Sequence, residues 1–374
     1  MKLNNMVIGF DAKRAFYNST GLGNYSRTLI EDLAVHFPEN EYHLFTPRKS
    51  TLFQFENLPA AQFYVHENTS IWPDIYWRSR LMAGAASQHN VQLFHGLSHE
   101  LPAGLGSRGI KSVVTMHDTL FMDFPRDFKP VDRAIYKKKW AKACQQADIV
   151  VAISEATKAR LQHYFNLPEE RVKVIYQSVN ESFANPPDQQ EIINTRFKYL
   201  LPDHYLLFVS SIIPRKNLKN VLEALHIMED PPPLVVIGKG GKKRRRLQRL
   251  AIKYGLEVLW PEVDSTKELQ AIYHSASAFI YPSLGEGFGI PIIEAQMSGI
   301  PVLTSNISVM PEVAGDAALY FDPLSAESIA ASIELVFHDN ALVKSLSQLG
   351  KQNVSRFTGK VCAEQMNEIY VSLL

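Results

Sequence analysis

Short apolar runs alternate with segments of helical spacing along almost the whole chain, and they do so in two successive sets. The first opens with MVIGF (6–10) and NYSRTLIEDLAVHF (24–37). It continues through YHLFTP, FYVHE, QLFHG, SVVTMHD and DIVVAIS, with helical stretches such as VDRAIYKKKWAKACQQA and SEATKARLQHYF between them. Strands separated by helices suit a parallel sheet, because each return crossing needs a helix and the helices then cover both faces. The pattern lapses in NESFANPPDQQEIINTRF, polar and carrying Pro186-Pro187, which predicts a linker at 186–198. A second alternating set follows: YLLFVSS, PLVVIG, LEVLW, AFIYPS and PVLTS. The expectation is an α/β chain of two doubly wound domains, 1–185 and 199–355, facing a central cleft. Val361, Met366, Ile369, Tyr370 and Leu373 fall at helical spacing and predict a closing helix within 356–374, placed to cross back to the first domain.

The length of 374 residues is enough for about two domains at ~100–200 residues each. Lys and Arg number 39 against 38 Asp and Glu, so the molecule has no overall field of the kind that gathers nucleic acid. Two local basic clusters, Lys137-Lys138-Lys139 and Lys242 to Arg246, read as solvated helix faces, with contact to anionic lipid as the alternative. Cys144 and Cys362 have no metal or redox spacing, which fits a reducing cytoplasm. The first apolar stretch is too short for a signal segment, and no run approaches the ~18 apolar residues of a membrane span. The expected location is cytoplasmic, with peripheral attachment to the inner face of the plasma membrane as a second placement.

The stretch YPSLGEGFGIPIIEAQMSGIPVLTSN (281–306) reads as one tight strand–loop–helix–strand unit: Pro291 suits the first helical position, Gly299 stops the helix, and Pro301 to Thr304 begins the next strand. Its loop lies at the carboxyl end of a parallel strand, where open α/β sheets bind ligands. Gly285, Gly287 and Gly289 allow close backbone approach around Glu286 and Phe288, and the helix start offers an anion site. Glu294, one turn into the helix, has two readings: a ligand for neighbouring hydroxyls, as on a ribose, or a simple complement to the helix dipole. Two carboxylates also raise a glycosidase reading, which their shared loop-helix origin disfavours.

The same architecture recurs in FVSSIIPRKNL (208–218), where Arg215 and Lys216 stand at the carboxyl end of a strand as a pair suited to a diphosphate. In the first half, Gly21-Leu22-Gly23 precedes a helix but lacks the third glycine of the dinucleotide fingerprint. His117 and Asp118 end the strand of 111–118, and His95 and His99 form a second, weaker candidate pair. No HExxH, Cys/His cluster, phosphate-loop lysine motif or Gly-x-Ser-x-Gly elbow occurs.

Taken together, these motifs resemble the family 4 glycosyltransferases of the GT-B fold over nearly the full length. The match is most specific at Glu286-Gly-Phe-Gly through Glu294, which is similar to that family's E-x7-E motif, then at Ser298-Gly-Ile-Pro-Val and at Pro311-Glu-Val-Ala-Gly-Asp-Ala-Ala. GLGNYSRTL, FHGLSHELP, VVTMHD and IVVAISEATKARL carry it in the first half. The resemblance implies two Rossmann-like domains and a transferase using a nucleotide-diphosphate sugar. By the same resemblance Glu294 holds the nucleotide ribose and Glu286 stands beside the transferred sugar and diphosphate. Arg215 and Lys216 hold the donor diphosphate, His117 lies near the reacting carbon, and Gly23 lies under the phosphates. Gly287, Phe288 and Gly289 complete the donor loop. Where many relatives carry an arginine directly after the first strand of the second domain, this chain has Ser210-Ser211, so Arg215 is expected to supply that charge.

The implied chemistry is retaining and needs neither cofactor nor metal. The acceptor is a glycan or lipid-linked saccharide, and nucleic acid is not a partner. PRKN and HDTLF look like the mannosyltransferase-rich part of the family, which points to GDP-mannose. A UDP-sugar donor and a non-catalytic nucleotide-sugar-binding protein are the alternatives.

Overall fold

The computed structural model describes residues 5–54 and 62–374. The chain divides into two compact units, one running to Ser178 and resuming at Phe357–Leu374, the other formed by Val179–Arg356.

The first unit holds seven strands: β1 (Val7–Asp11), β2 (Glu41–Thr46), β3 (Gln62–Glu67), β4 (Leu93–Gly96), β5 (Lys111–Met116), β6 (Ile149–Ala152) and β7 (Val172–Val174). They pair in the order β3-β2-β1-β4-β5-β6-β7, and every pairing is parallel. Ile8, Phe10, Val113, Val114, Val150 and Val151 are fully buried, so the central strands are covered on both faces and read as continuous apolar runs. The helix Gly21–His36 turns Leu29, Ile30, Leu33 and Ala34 onto this core. It begins earlier than the apolar spacing suggested, so Gly21 and Gly23 lie in its first turn instead of ahead of it.

The closing helix Gly359–Leu373 packs beside the helix Gly21–His36, sending Cys362, Ala363, Met366 and Tyr370 into the same core. Thr358 caps it by accepting a hydrogen bond from the Val361 amide. Tyr370 adds a polar anchor: its hydroxyl lies 2.6 Å from His95 Nδ1, and His95 Nε2 lies 2.8 Å from Thr115 Oγ1.

The second unit repeats the plan with six strands, β8 (Leu206–Val209), β9 (Leu234–Ile237), β10 (Val258–Leu259), β11 (Ala278–Tyr281), β12 (Val302–Ser305) and β13 (Leu319–Phe321). Their order, β10-β9-β8-β11-β12-β13, is again parallel throughout and reverses between β8 and β11. β13 has only three residues and gave no run long enough to mark it in the sequence.

The expected linker at 186–198 is corrected: Gln189–Tyr199 is a helix. Asp188 caps it through the Glu191 amide at 2.8 Å, and Tyr199 and Lys198 fasten its far end to Glu268 of the helix Thr266–Ser275. Only Thr195 of this helix is buried, so no apolar stripe announced it. Among the described residues no helix is long and apolar enough to cross a membrane.

Candidate active site

In an open parallel sheet the strand order reverses at one point, and the loops leaving the carboxyl ends on either side of it diverge to leave a crevice. In the second unit those loops follow β8 and β11, and they carry Arg215, Lys216 and Glu286. The β8 loop makes a tight turn at Pro214–Lys216, ended by Asn217 in the left-handed region at φ 58°. Asn217 and Asn220 both donate through Nδ2 to the Pro323 carbonyl, at 2.7 and 2.8 Å, which ties the turn to the segment after β13. The β11 loop is joined to the same turn by the Leu284 amide, 2.9 Å from the Arg215 carbonyl, and by the Arg215 guanidinium donating to the Gly285 carbonyl.

This double stitch places the side chains in contact. Glu286 Oε1 lies 3.0 Å from Arg215 Nη1 and 2.5 Å from Lys216 Nζ, and Lys216 Nζ donates to the Tyr281 hydroxyl at 2.8 Å. Lys216 is 8% exposed and Glu286 7%. Burial alone would pull the Lys216 ammonium down, but the Glu286 carboxylate beside it holds it above its ordinary value. Burial would likewise raise Glu286, yet Lys216 and Arg215 hold its carboxyl below the usual range. Both groups are therefore ionised at neutral pH, in a turn whose geometry is fixed before any ligand arrives.

Gly287, Phe288 and Gly289 are buried and lead directly into the helix Ile290–Met297. Gly289 takes φ 116°, a conformation that side chains rarely adopt, and this sharp entry is what turns the loop into the helix. Glu294 is held by the Tyr273 hydroxyl at 3.1 Å and is half-buried; burial pushes its carboxyl up to about 7. A cavity of about 640 Å³ is lined by Gly238 to Gly241 after β9, by Arg244, and by Glu262 after β10, among others. The loop after β9 that forms its wall is bonded to the β8 loop through the Ile212 amide and the Lys239 carbonyl at 2.8 Å.

In the first unit His117 follows the carboxyl end of β5 and is 4% exposed. Its Nε2 donates to the Leu97 carbonyl at 2.9 Å, its amide donates to His99 Nε2 at 3.1 Å, and Tyr25 meets its ring edge-on at 4.6 Å. Burial lowers its pKa to about 4, so the ring is neutral at pH 7 with Nδ1 as its acceptor. Gly23 lies two residues before Tyr25, and the close approach seen there is to the chain's own backbone: a Cβ would stand 1.7 Å from the Asn18 carbonyl oxygen. His95 belongs to the buried anchor of the closing helix, and His99, stacked on Trp140 at 4.0 Å, supports the His117 amide.

The structure therefore joins Arg215, Lys216 and Glu286 directly, sets Gly287, Phe288 and Gly289 in the same loop, and holds Glu294 separately through Tyr273. Tyr281 and Tyr273, which orient these groups, escaped sequence reading because each sits in an apolar run and looks like core, and Tyr25, between Asn24 and Ser26, because nothing in the sequence ties it to His117.

Residues 21–183 match the family described as Glycosyltransferase Family 4, and residues 191–353 match Glycosyl transferases group 1. The chain is similar to the O-antigen chain mannosyltransferase B of Escherichia coli, 28% identical over 389 residues that cover 98% of this chain and 99% of that one. It is also similar to the O-antigen chain mannosyltransferase RfbU of Salmonella typhimurium, 28% identical over 223 residues, 59% of each chain. In fold it follows a glycosyltransferase from Rickettsia africae ESF-5 with a TM-score of 0.77, at 19% identity over 99% of both chains. With a family match in each unit and two parallel sheets of matching strand order, the chain belongs to the family 4 glycosyltransferases and has the GT-B fold of two Rossmann-like domains.

Proposed function

We propose that this glycosyltransferase moves mannose from GDP-mannose to a glycan or lipid-linked saccharide, with retention of anomeric configuration and without a metal ion. The observation that carries the donor assignment is the turn holding Arg215 and Lys216 at the strand-order reversal, bonded to the loop that opens the helix Ile290–Met297. Two cations and a helix amino end at that place suit a diphosphate. Mannose as the sugar is supported by the resemblance of Pro214 to Asn217 and of His117 to Phe121, and by the names of the two mannosyltransferase relatives.

As the bond from sugar to phosphate breaks, negative charge gathers on the departing diphosphate. Arg215 and Lys216 already stand in place, so little reorganisation is needed to stabilise it. Glu286, released in part from its two cations as the phosphates engage them, accepts hydrogen bonds from hydroxyls of the transferred sugar. Glu294 serves the ribose in its ionised form, and the cavity lined by Gly238 to Gly241 takes the nucleoside. The acceptor hydroxyl passes its proton to an oxygen of the leaving phosphate, so no protein base is required. His117 then acts as a neutral hydrogen-bond acceptor that positions a donor hydroxyl. Peripheral attachment to a membrane face through the basic helix Pro130–Gln146 would give access to a lipid-linked acceptor.

The test is a transfer assay at 25 °C with GDP-mannose and UDP-glucose, a mannose-terminated lipid-linked acceptor, and excess EDTA, with the product anomer read by NMR. Release of GDP with an α-linked product is expected. Transfer from the UDP-sugar alone overturns the donor, a β-linked product overturns retention, and activity restored only by Mg²⁺ or Mn²⁺ overturns the metal-free chemistry.

A further inference from the structure

His43, His66 and His89 come from three separate elements, so no spacing in the sequence connects them, yet one ring nitrogen of each lies within 4.8 Å of the other two. His43 stands in β2, His66 in the neighbouring edge strand β3, and His89 directly after the helix Met82–Gln88. Parallel register sets His66 against Phe45, and the two rings stack at 4.7 Å. His66 and His89 stack at 3.9 Å, and His43 Nδ1 lies 2.9 Å from His66 Nε2. The group is graded in access: His43 is buried, His66 intermediate and His89 exposed, so an ion has a route in from solvent.

A further feature supports a ligand at this place. His43 is 5% exposed, and while its Nδ1 faces His66, its Nε2 is turned toward Glu41. The Glu41 carboxylate stands 3.8 Å from that nitrogen, the kind of group that orients a metal-bound imidazole from behind.

We propose that His43, His66 and His89 form a structural site for a divalent transition-metal ion, with Glu41 orienting His43. Imidazole ligands suit Zn²⁺, Cu²⁺ and Ni²⁺ and disfavour Mg²⁺ and Ca²⁺. Zinc sits about 2.0–2.1 Å from each nitrogen, so the three rings must reorient around it, and the proton between His43 Nδ1 and His66 Nε2 moves to the other nitrogen of its own ring. Bound there, the ion would tie the edge strand β3 to β2 and to the end of the helix Met82–Gln88. The site lies three strands across the sheet from β5, whose end carries His117, so it is separate from the proposed transfer chemistry.

The experiment uses the full chain, stripped with chelator and dialysed, and titrated with Zn²⁺ and with Mg²⁺ by calorimetry and thermal melting. One equivalent of Zn²⁺ should bind and raise Tm, Mg²⁺ should do neither, and His89→Ala, a change at an exposed position, should weaken Zn²⁺ binding at least tenfold. Visible absorption of the Co²⁺-loaded native chain gives an independent readout of nitrogen coordination. No Zn²⁺ binding at about 100 µM, equal affinity in the native and His89→Ala chains, or Co²⁺ showing only its aqueous spectrum would each overturn the site. None of these readouts depends on transferase activity, so the site and the proposed function stand or fall separately.

Discussion

Lys216 and Glu286 depend on each other. The Glu286 carboxyl, held below its ordinary 4.5, contributes stability that is present above pH 4.5 and lost as pH falls through its lowered value. Lys216, held above 10.5, contributes stability that is complete below pH 10.5 and lost as pH rises through its raised value. Lys216→Ala should weaken nucleoside-diphosphate binding by about 1.5–3 kcal/mol, the range of a hydrogen bond to a charged group; unchanged affinity in calorimetry would take Lys216 out of the site. Glu294 behaves in the opposite way. Its folded value of about 7 lies above 4.5, so its contribution to stability falls as pH rises from 4.5 through 7. Glu294→Gln should therefore melt no lower than the native chain at pH 8 while binding the nucleotide more weakly, and a clearly lower Tm at pH 8 would contradict the burial account. Arg215, Lys216 and Glu286 stood out in the sequence as charges close to Pro or Gly after apolar strands, and Glu294 as a charge inside an otherwise apolar short helix. Tyr281 and Tyr273 were not, since only the folded contacts separate a tyrosine that holds a charged group from one that fills the core.

Among the elements, the central strands were the most legible, because burial on both faces writes them as unbroken apolar runs. The helix Gln189–Tyr199 was hidden by the opposite condition, an almost fully solvated surface behind Pro186-Pro187. The start of the helix Gly21–His36 was hidden by its glycines, which ordinarily weaken a helix; Gly23 is needed here to admit the Asn18 carbonyl. The closing helix Gly359–Leu373 was legible as a helix, but its polar anchor to His95 was not, because that contact joins residues 275 positions apart. Tyr370→Phe removes the hydroxyl and leaves His95 Nδ1 buried without it, which should cost about 1–3 kcal/mol in denaturant unfolding. An unchanged midpoint would mean that apolar packing alone fixes the helix.

At the scale of the molecule, two parallel sheets of the same winding, each with its own strand-order reversal, were readable from the repeated alternation of strand and helix. What the sequence could not supply was the joining of distant loops, such as Leu284 to Arg215, that turns scattered charges into one preformed arrangement. That arrangement supports the proposed donor site of cations and a helix terminus, for which selective, metal-free nucleotide binding is the expected behaviour. The most direct test is titration calorimetry of the purified chain with GDP, UDP and ADP in EDTA, with Glu294→Ala as the control. Selective binding of GDP that the variant loses is the predicted result. Binding of none of the three, or equal binding by the native and variant chains, would contradict the account.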